Sequence, residues 1–309
     1  MRSSKNRTFF YKLKEYKTLL LMLSPATLFF VLFCYVPILG IVIAFKRYTY
    51  DGGIFHSPWI GLKNFKFMFM AGDIFNVTKN TLIFNILFII VNTILEITCA
   101  IVLAELSGKY FKKITQSMMF LPYFISWVVV GAFTYNVLNY ESGSINTLLK
   151  SFQLEPFDFY NKPVVWILII VVVCAWKNFG FGTIIYLSAV MGIDPEMYDA
   201  AEIDGANIFQ RIRRITIPTL VPTIVILVLL AMGNIFRGDF SMFYQVTGNN
   251  PVLYSTTDVI DTYVTRSLIT SPEFGMTAAA GLYQSVLCFA IIMVFNTLVK
   301  KYDKDYSLF

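Results

Sequence analysis

Six stretches of the chain are almost uninterrupted apolar sequence: roughly 19–45, 81–105, 117–138, 164–190, 216–246 and 276–299. Each reaches the ~20 residues that a helix needs to cross the hydrocarbon core of a bilayer. Polar connections separate them. Pro25, Pro37 and Pro122 fall in or at the ends of these stretches, where a kink is tolerated if neighbouring groups satisfy the freed carbonyls. The pattern predicts an all-α, polytopic membrane protein with six transmembrane helices. Its expected organisation is a basic segment 1–18, a six-helix transmembrane domain 19–300 and a short tail 301–309.

Composition agrees. Of 309 residues, 57% are hydrophobic, 17% aromatic and only 14% charged, and the mean hydropathy is +0.64. A soluble domain of this size cannot cover that much apolar surface. The net charge of +6 is modest and forms no basic groove, so nucleic acid is not an expected partner; the lipid bilayer is. With the N-terminus placed inside, fifteen lysines and arginines fall on that side, at 2–17, 109–113, 211–214 and 300–304, against eight on the other. That excess fits the positive-inside rule and puts both termini in the cytoplasm. Cys34, Cys99, Cys174 and Cys288 all lie in apolar runs without metal or redox spacing, and read as small hydrophobes. His56 stands without ligand neighbours.

Several polar residues interrupt the spans. Asn85, Asn92 and Glu96 are spaced seven and four apart, which puts them near one helix face. Trp176, Lys177 and Asn178 form a polar break in the fourth stretch; Asn234, Arg237 and Asp239 form another late in the fifth. Tyr244 and Tyr283 add aromatic faces at similar depth. Ionised groups in hydrocarbon are costly and pair or face a cavity. Amides, charges and aromatic rings would line a path for a polar solute. Interhelical hydrogen bonds and local ion pairs would use the same residues. Both readings stand at this point. Phe179-Gly180-Phe181-Gly182-Thr183 reads as close helix packing, because no phosphate-loop lysine follows.

The most informative connection is 194–218. Asp194 is placed to cap a helix and Pro195 suits its first position. Acids fill the first half and Arg211, Arg213 and Arg214 the end, an order that suits the helix dipole. Ala200, Ala201, Gly205 and Ala206 are small enough to let another surface approach. The residues alone allow either a solvated cytoplasmic helix or a docking element.

This stretch resembles the EAA loop of ABC-importer permeases: Asp199, Ala200, Ala201, then Gly205, then Ile215, Ile217 and Pro218, in register throughout. It departs from that pattern in having Asp199 for the usual Glu and Ile217 for the usual Leu. The resemblance extends from about residue 19 to the C-terminus. Tyr35–Phe45, Trp59-Ile60-Gly61-Leu62-Lys63-Asn64-Phe65 and Asn80-Thr81-Leu82 are similar to the membrane subunits of maltose-type transporters. Leu121-Pro122-Tyr123-Phe124-Ile125-Ser126-Trp127-Val128-Val129 and Gly233-Asn234-Ile235-Phe236-Arg237 resemble the LplB/YteP-type branch, associated with oligosaccharides of complex polysaccharides. The resemblance implies a type I importer permease that forms half of a carbohydrate pathway. It implies a second, non-identical permease, two ATPase subunits and an extracellular sugar-binding protein as partners. The coupling helix would comprise Asp199, Ala200, Ala201, Glu202, Asp204, Gly205 and Ala206, in a bacterial cell membrane. No G-x-x-x-x-G-K-[ST] run occurs, so ATP and magnesium would be held by the ATPases and no cofactor by this chain. No nucleophile–base pair suggests an enzyme. The alternative class is a self-contained channel or ion-coupled secondary transporter, which Glu96, Lys177, Arg237 and Asp239 would allow but which leaves the EAA spacing unexplained.

Overall fold

A computed structural model describes residues 15–70, 72–106, 108–270, 273–303 and 306–308. The basic residues Arg2 to Lys14 and Lys304 lie outside the described residues. The described chain is helical, with a single isolated β-bridge, Lys46 to Trp59. Among the described residues, five helices are long and apolar enough to cross a membrane, and a bent pair brings the number to six when taken as one span. The chain divides into two units, one comprising residues up to 67 together with 273–282, the other 68–272 together with residues from 283 onward.

In the first unit, the first span runs Lys17–Phe45. Pro25 cannot donate to Leu21 O, and Ser24 Oγ does so instead at 2.8 Å, so the helix continues past the proline. The winding then changes, through a π turn at Val31–Tyr35 and a 3-10 stretch at Val36–Phe45, around Pro37. The span's end is tied to the following loop. Asn64 Nδ2 donates to Ala44 O at 2.8 Å and to Lys46 O at 3.0 Å, and the Lys46 ammonium donates to Ile54 O and Phe55 O. Carbonyls at a helix end that would otherwise be orphaned are thus satisfied by side chains.

In the second unit, the second span begins at Asp73, eight residues earlier than the apolar pattern suggests, and ends at Glu105. Its polar first turns are bonded to the connection 254–260: Asn76 to Ser255 O, Asn80 to Asp258 O, and Ile260 N to Thr81 Oγ1 at 3.0 Å. The fourth span is Val165–Met191, and it packs along the second. Ala100 and Leu103 meet Tyr186, Leu187, Val190 and Leu220 toward one end; Phe84 meets Trp166, Ile170 and Phe243 toward the other. Close helix packing at Phe179–Thr183 is observed. A Cβ on Gly180 would fall 1.9 Å from Met119 O, and one on Gly182 would fall 2.0 Å from the Glu96 carboxyl carbon.

Two spans depart from the continuous helices expected. The third is bent by 95° between Lys109–Phe124 and Trp127–Leu138. Pro122 cannot extend the first piece, and Ser126 caps the second by accepting from Val129 N. The fifth span, expected to reach 246, runs Ile208–Met232 and stops. Residues 233–239 form a break, and a separate helix Phe240–Thr247 starts under the Asp239 cap, with Met242 N donating to Asp239 Oδ1 at 3.0 Å. Asp239 is a helix cap that the apolar average over this stretch conceals. The sixth span is Phe274–Lys301.

Candidate functional site

The break after the fifth span and the face of the second span bring part of the expected pathway set together. Asn85, Asn92 and Glu96 on the second span, Gly182 and Tyr186 on the fourth, and Asn234 and Arg237 at the break line a cavity of about 370 Å³. The seven-and-four spacing of the first three residues does place them on one face. Asn85 Nδ2 donates to Thr81 O and, at 3.1 Å, to Arg237 O, which fixes the break against the second span. The Asn92 side-chain oxygen is buried without a hydrogen-bond partner among the described residues. No ion pair to Glu96 occurs among the described residues. The cavity therefore carries an acceptor without a donor among the described residues at Asn92, a carboxyl group at Glu96, an amide and a guanidinium at the break, and the rings of Phe181 and Tyr186. Such a wall can meet hydroxyls and a C–H face together.

Other expected members are engaged elsewhere. Lys177 is only 6% exposed. Its ammonium donates to Tyr123 O at 2.6 Å and Pro122 O at 3.3 Å, and sits 5.2 Å from the Trp127 ring centre. It thereby satisfies Tyr123 O, which the bend of the third span frees, and shares Pro122 O with the Ile125 N–H; satisfied carbonyls are a requirement of backbone inside a membrane. Trp127 Nε1 in turn donates to Asp239 Oδ2 at 2.7 Å. Lys177 and Asp239 thus support the two helix breaks. Asn178 donates to Cys174 O within its own helix. Trp176 faces a different, apolar hollow shared with Val130, Phe133 and Val172. Tyr244 rests on Phe240, and Tyr283 lies against Phe69 with its hydroxyl 3.4 Å from Thr78 Oγ1.

The break is braced by Asp261, from outside the spans, and Gln284, within the sixth span. Asp261 Oδ2 accepts from Gly238 N at 2.6 Å and from Gln284 Nε2 at 2.8 Å, and the same amide donates to Phe236 O. Burial pushes the Asp261 carboxyl above the usual carboxylate range, against the opposing pull of the Gly238 and Gln284 hydrogen bonds and of the Arg237 charge. Nothing in the sequence near Asp261 signals this role, because its partners lie 23 residues away in either direction. Nearby, Arg266 pairs with Asp258 and stacks 4.1 Å from the Tyr254 ring centre.

The 194–218 connection is two short helices rather than one. Asp194 Oδ1 accepts from Glu196 N at 3.0 Å and starts Pro195–Ile203, as its sequence predicts. Asp204 ends that helix, and Gly205 follows at φ +76°, a conformation costly to any residue with a Cβ. No atom lies within 4 Å of the position a Gly205 Cβ would take, so within this chain the glycine serves the turn and not close packing. Asn207 and Gln210 then form a reciprocal capping box for the next helix, which leads into the fifth span. Asp199, Ala200, Glu202 and Asp204 are exposed; Ala201 and Ala206 are half-buried. Beside them stand two large apolar side chains that attention to acids and alanines passes over. Ile203 is 86% exposed and Phe209 is 79% exposed, one on each side of the Gly205 turn.

Apolar spans around a polar cavity, with a capped, exposed segment between two spans, define the membrane-embedded part of a transporter. The chain belongs to the family of binding-protein-dependent transport system inner membrane components, whose model matches residues 96–304. It is 34% identical to protein LplB of Bacillus subtilis over 95% of this chain and 92% of that one. It is 32% identical to the polygalacturonan/rhamnogalacturonan transport system permease protein YteP of the same organism, covering 98% and 94% respectively. A bacterial ABC transporter structure, involved in import of the acidic polysaccharide alginate, contains a chain matched with a TM-score of 0.87 and 30% identity, over 96% of this chain and 100% of that chain. The family and branch read from residues 194–218, 121–129 and 233–237 are borne out.

Proposed function

We propose that this permease forms half of a translocation pathway for a carbohydrate, an oligosaccharide derived from a complex polysaccharide. The 19–300 region works beside a second, non-identical permease, takes sugar from an extracellular binding protein, and is driven by two ATPase subunits that hold ATP and magnesium. Its termini face the cytoplasm. The substrate class rests on the polygalacturonan/rhamnogalacturonan and alginate transported by these relatives, together with a cavity whose acceptors, donors and rings suit a hydroxylated ligand.

The observation that carries the coupling role is the exposure of Ile203 and Phe209 around the Gly205 turn. These two large apolar side chains, the most exposed on a capped segment, suit a protein groove, and central apolar anchors dominate binding energy at such contacts. Ile203→Asp and Phe209→Ala permeases, purified from membranes that also contain the ATPase, should lose the ATPase while still inserting and folding. Full retention of the ATPase by both would overturn the docking role.

A further inference from the structure

The helix Pro195–Ile203 contributes no buried residue to the core. Beneath it lies a cavity of about 400 Å³, lined by Glu105, Lys112, Tyr198, Asp199, Arg211 and Thr216 among others. Two side-chain links join this helix to the root of the fifth span. One is the ion pair of Glu202 with Arg211 at 3.3 Å, whose carboxylate side chain is 74% exposed. Water and salt screen such a pair. The other is the hydrogen bond between Tyr198 OH and Thr216 Oγ1 at 2.9 Å, and Thr216 is only 2% exposed.

Thr216 ends a single π turn, Ile212–Thr216, directly before Ile217 and Pro218. Pro218 has no N–H for Arg214 O, so regular α winding is interrupted at this point. Isolated π turns of this kind occur often at functional sites. The main-chain route from the helix to the span passes through the Gly205 turn and the Asn207 capping box, where a displacement can be absorbed by rotation of the backbone. The Tyr198–Thr216 bond bypasses that route.

We infer that the Tyr198–Thr216 hydrogen bond is a strut that delivers movement of the 195–203 helix to the π turn Ile212–Thr216 of the fifth span. Tyr198 and Thr216 act as positioning residues for transport, and the inference rests on the reading of this segment as the ATPase contact. Without the strut, movement imposed on the helix is spent in the Gly205 turn, and ATP is hydrolysed without a matching movement of the span.

The test uses the complete importer in proteoliposomes: this permease, its partner permease, the ATPase and the binding protein. Tyr198→Phe and Thr216→Val each remove the bond with little change of volume, and Thr216→Ser keeps the hydroxyl. The expected result is unchanged ATPase retention with roughly two- to tenfold more ATP spent per sugar imported, the range set by one net hydrogen bond. Thr216→Ser should match the wild type, and the Tyr198→Phe/Thr216→Val double variant should be no worse than either single one. Wild-type stoichiometry in both single variants overturns the strut. So do additive losses in the double variant, a Thr216→Ser defect equal to that of Thr216→Val, or loss of the ATPase from Tyr198→Phe. Failure of the docking reading is read separately, in ATPase retention by Ile203→Asp and Phe209→Ala.

Discussion

The carboxylate of Glu96 on the second span lies against the backbone of Gly182 on the fourth, at a place where a Cβ would come within 2.1 Å of its Oε1. Gly182→Ala must therefore push the Glu96 side chain from its position in the cavity. The displaced group is the far end of a flexible side chain, so the displacement costs little stability. The melting temperature of the purified permease should hold while sugar uptake falls. Glu96→Ala in the same chain removes the displaced carboxylate and should leave uptake low. Full uptake by Gly182→Ala, or by Gly182→Ala with Glu96→Ala, would place Glu96 outside the pathway.

Lys177 offers a contrasting outcome. Its ammonium satisfies Pro122 O and Tyr123 O at the bend of the third span. Lys177→Met keeps much of the volume and leaves Tyr123 O without its donor, while Pro122 O keeps the Ile125 N–H; a buried acceptor so left costs ~1–3 kcal/mol. Thermal unfolding in detergent should shift to lower temperature, while the sugars transported by the surviving fraction stay the same. A changed sugar preference with unchanged stability would return Lys177 to the pathway.

Asp261 predicts a pH dependence. Burial raises its carboxyl pKa above the unfolded value, so the folded protein holds this proton more tightly than the unfolded chain. Stability from this group is present below the unfolded pKa and falls as pH rises toward the folded pKa. Asp261→Asn keeps an oxygen for Gly238 N and Gln284 Nε2 and removes the charge. The melting temperature of the wild type relative to Asp261→Asn should decline as pH rises through the carboxylate range. A constant difference across that range would show that the carboxylate carries no buried-charge penalty.

Much of this architecture is legible in the sequence, for identifiable reasons. Apolar runs of spanning length give the helices, and the local chemistry of Asp194 and Pro195 gives the start of the 195–203 helix. Asn85, Asn92 and Glu96 share a face because helical spacing alone dictates it. What the sequence hides depends on distant partners. Lys177 looks like a pathway charge until the freed Tyr123 carbonyl is seen to hold it. Asp239 looks like an intramembrane acid until Met242 N and Trp127 Nε1 are seen to occupy it. Ile203 and Phe209 are unremarkable letters in an apolar-rich chain, and only their exposure makes them candidates for a contact. Asp261 lies in a connection, and its bonds to Gly238 and Gln284 are set by tertiary packing.

The dependence of import on ATP tests the account most directly. Proteoliposomes containing this permease, its partner permease and the ATPase receive sugar-loaded binding protein outside, with ATP and magnesium inside or absent. Import should require internal ATP and the ATPase subunit, and should be lost with Ile203→Asp in the permease. Sugar accumulation driven by an ion gradient, without ATP or the ATPase, would contradict the account and make the chain a self-sufficient secondary transporter.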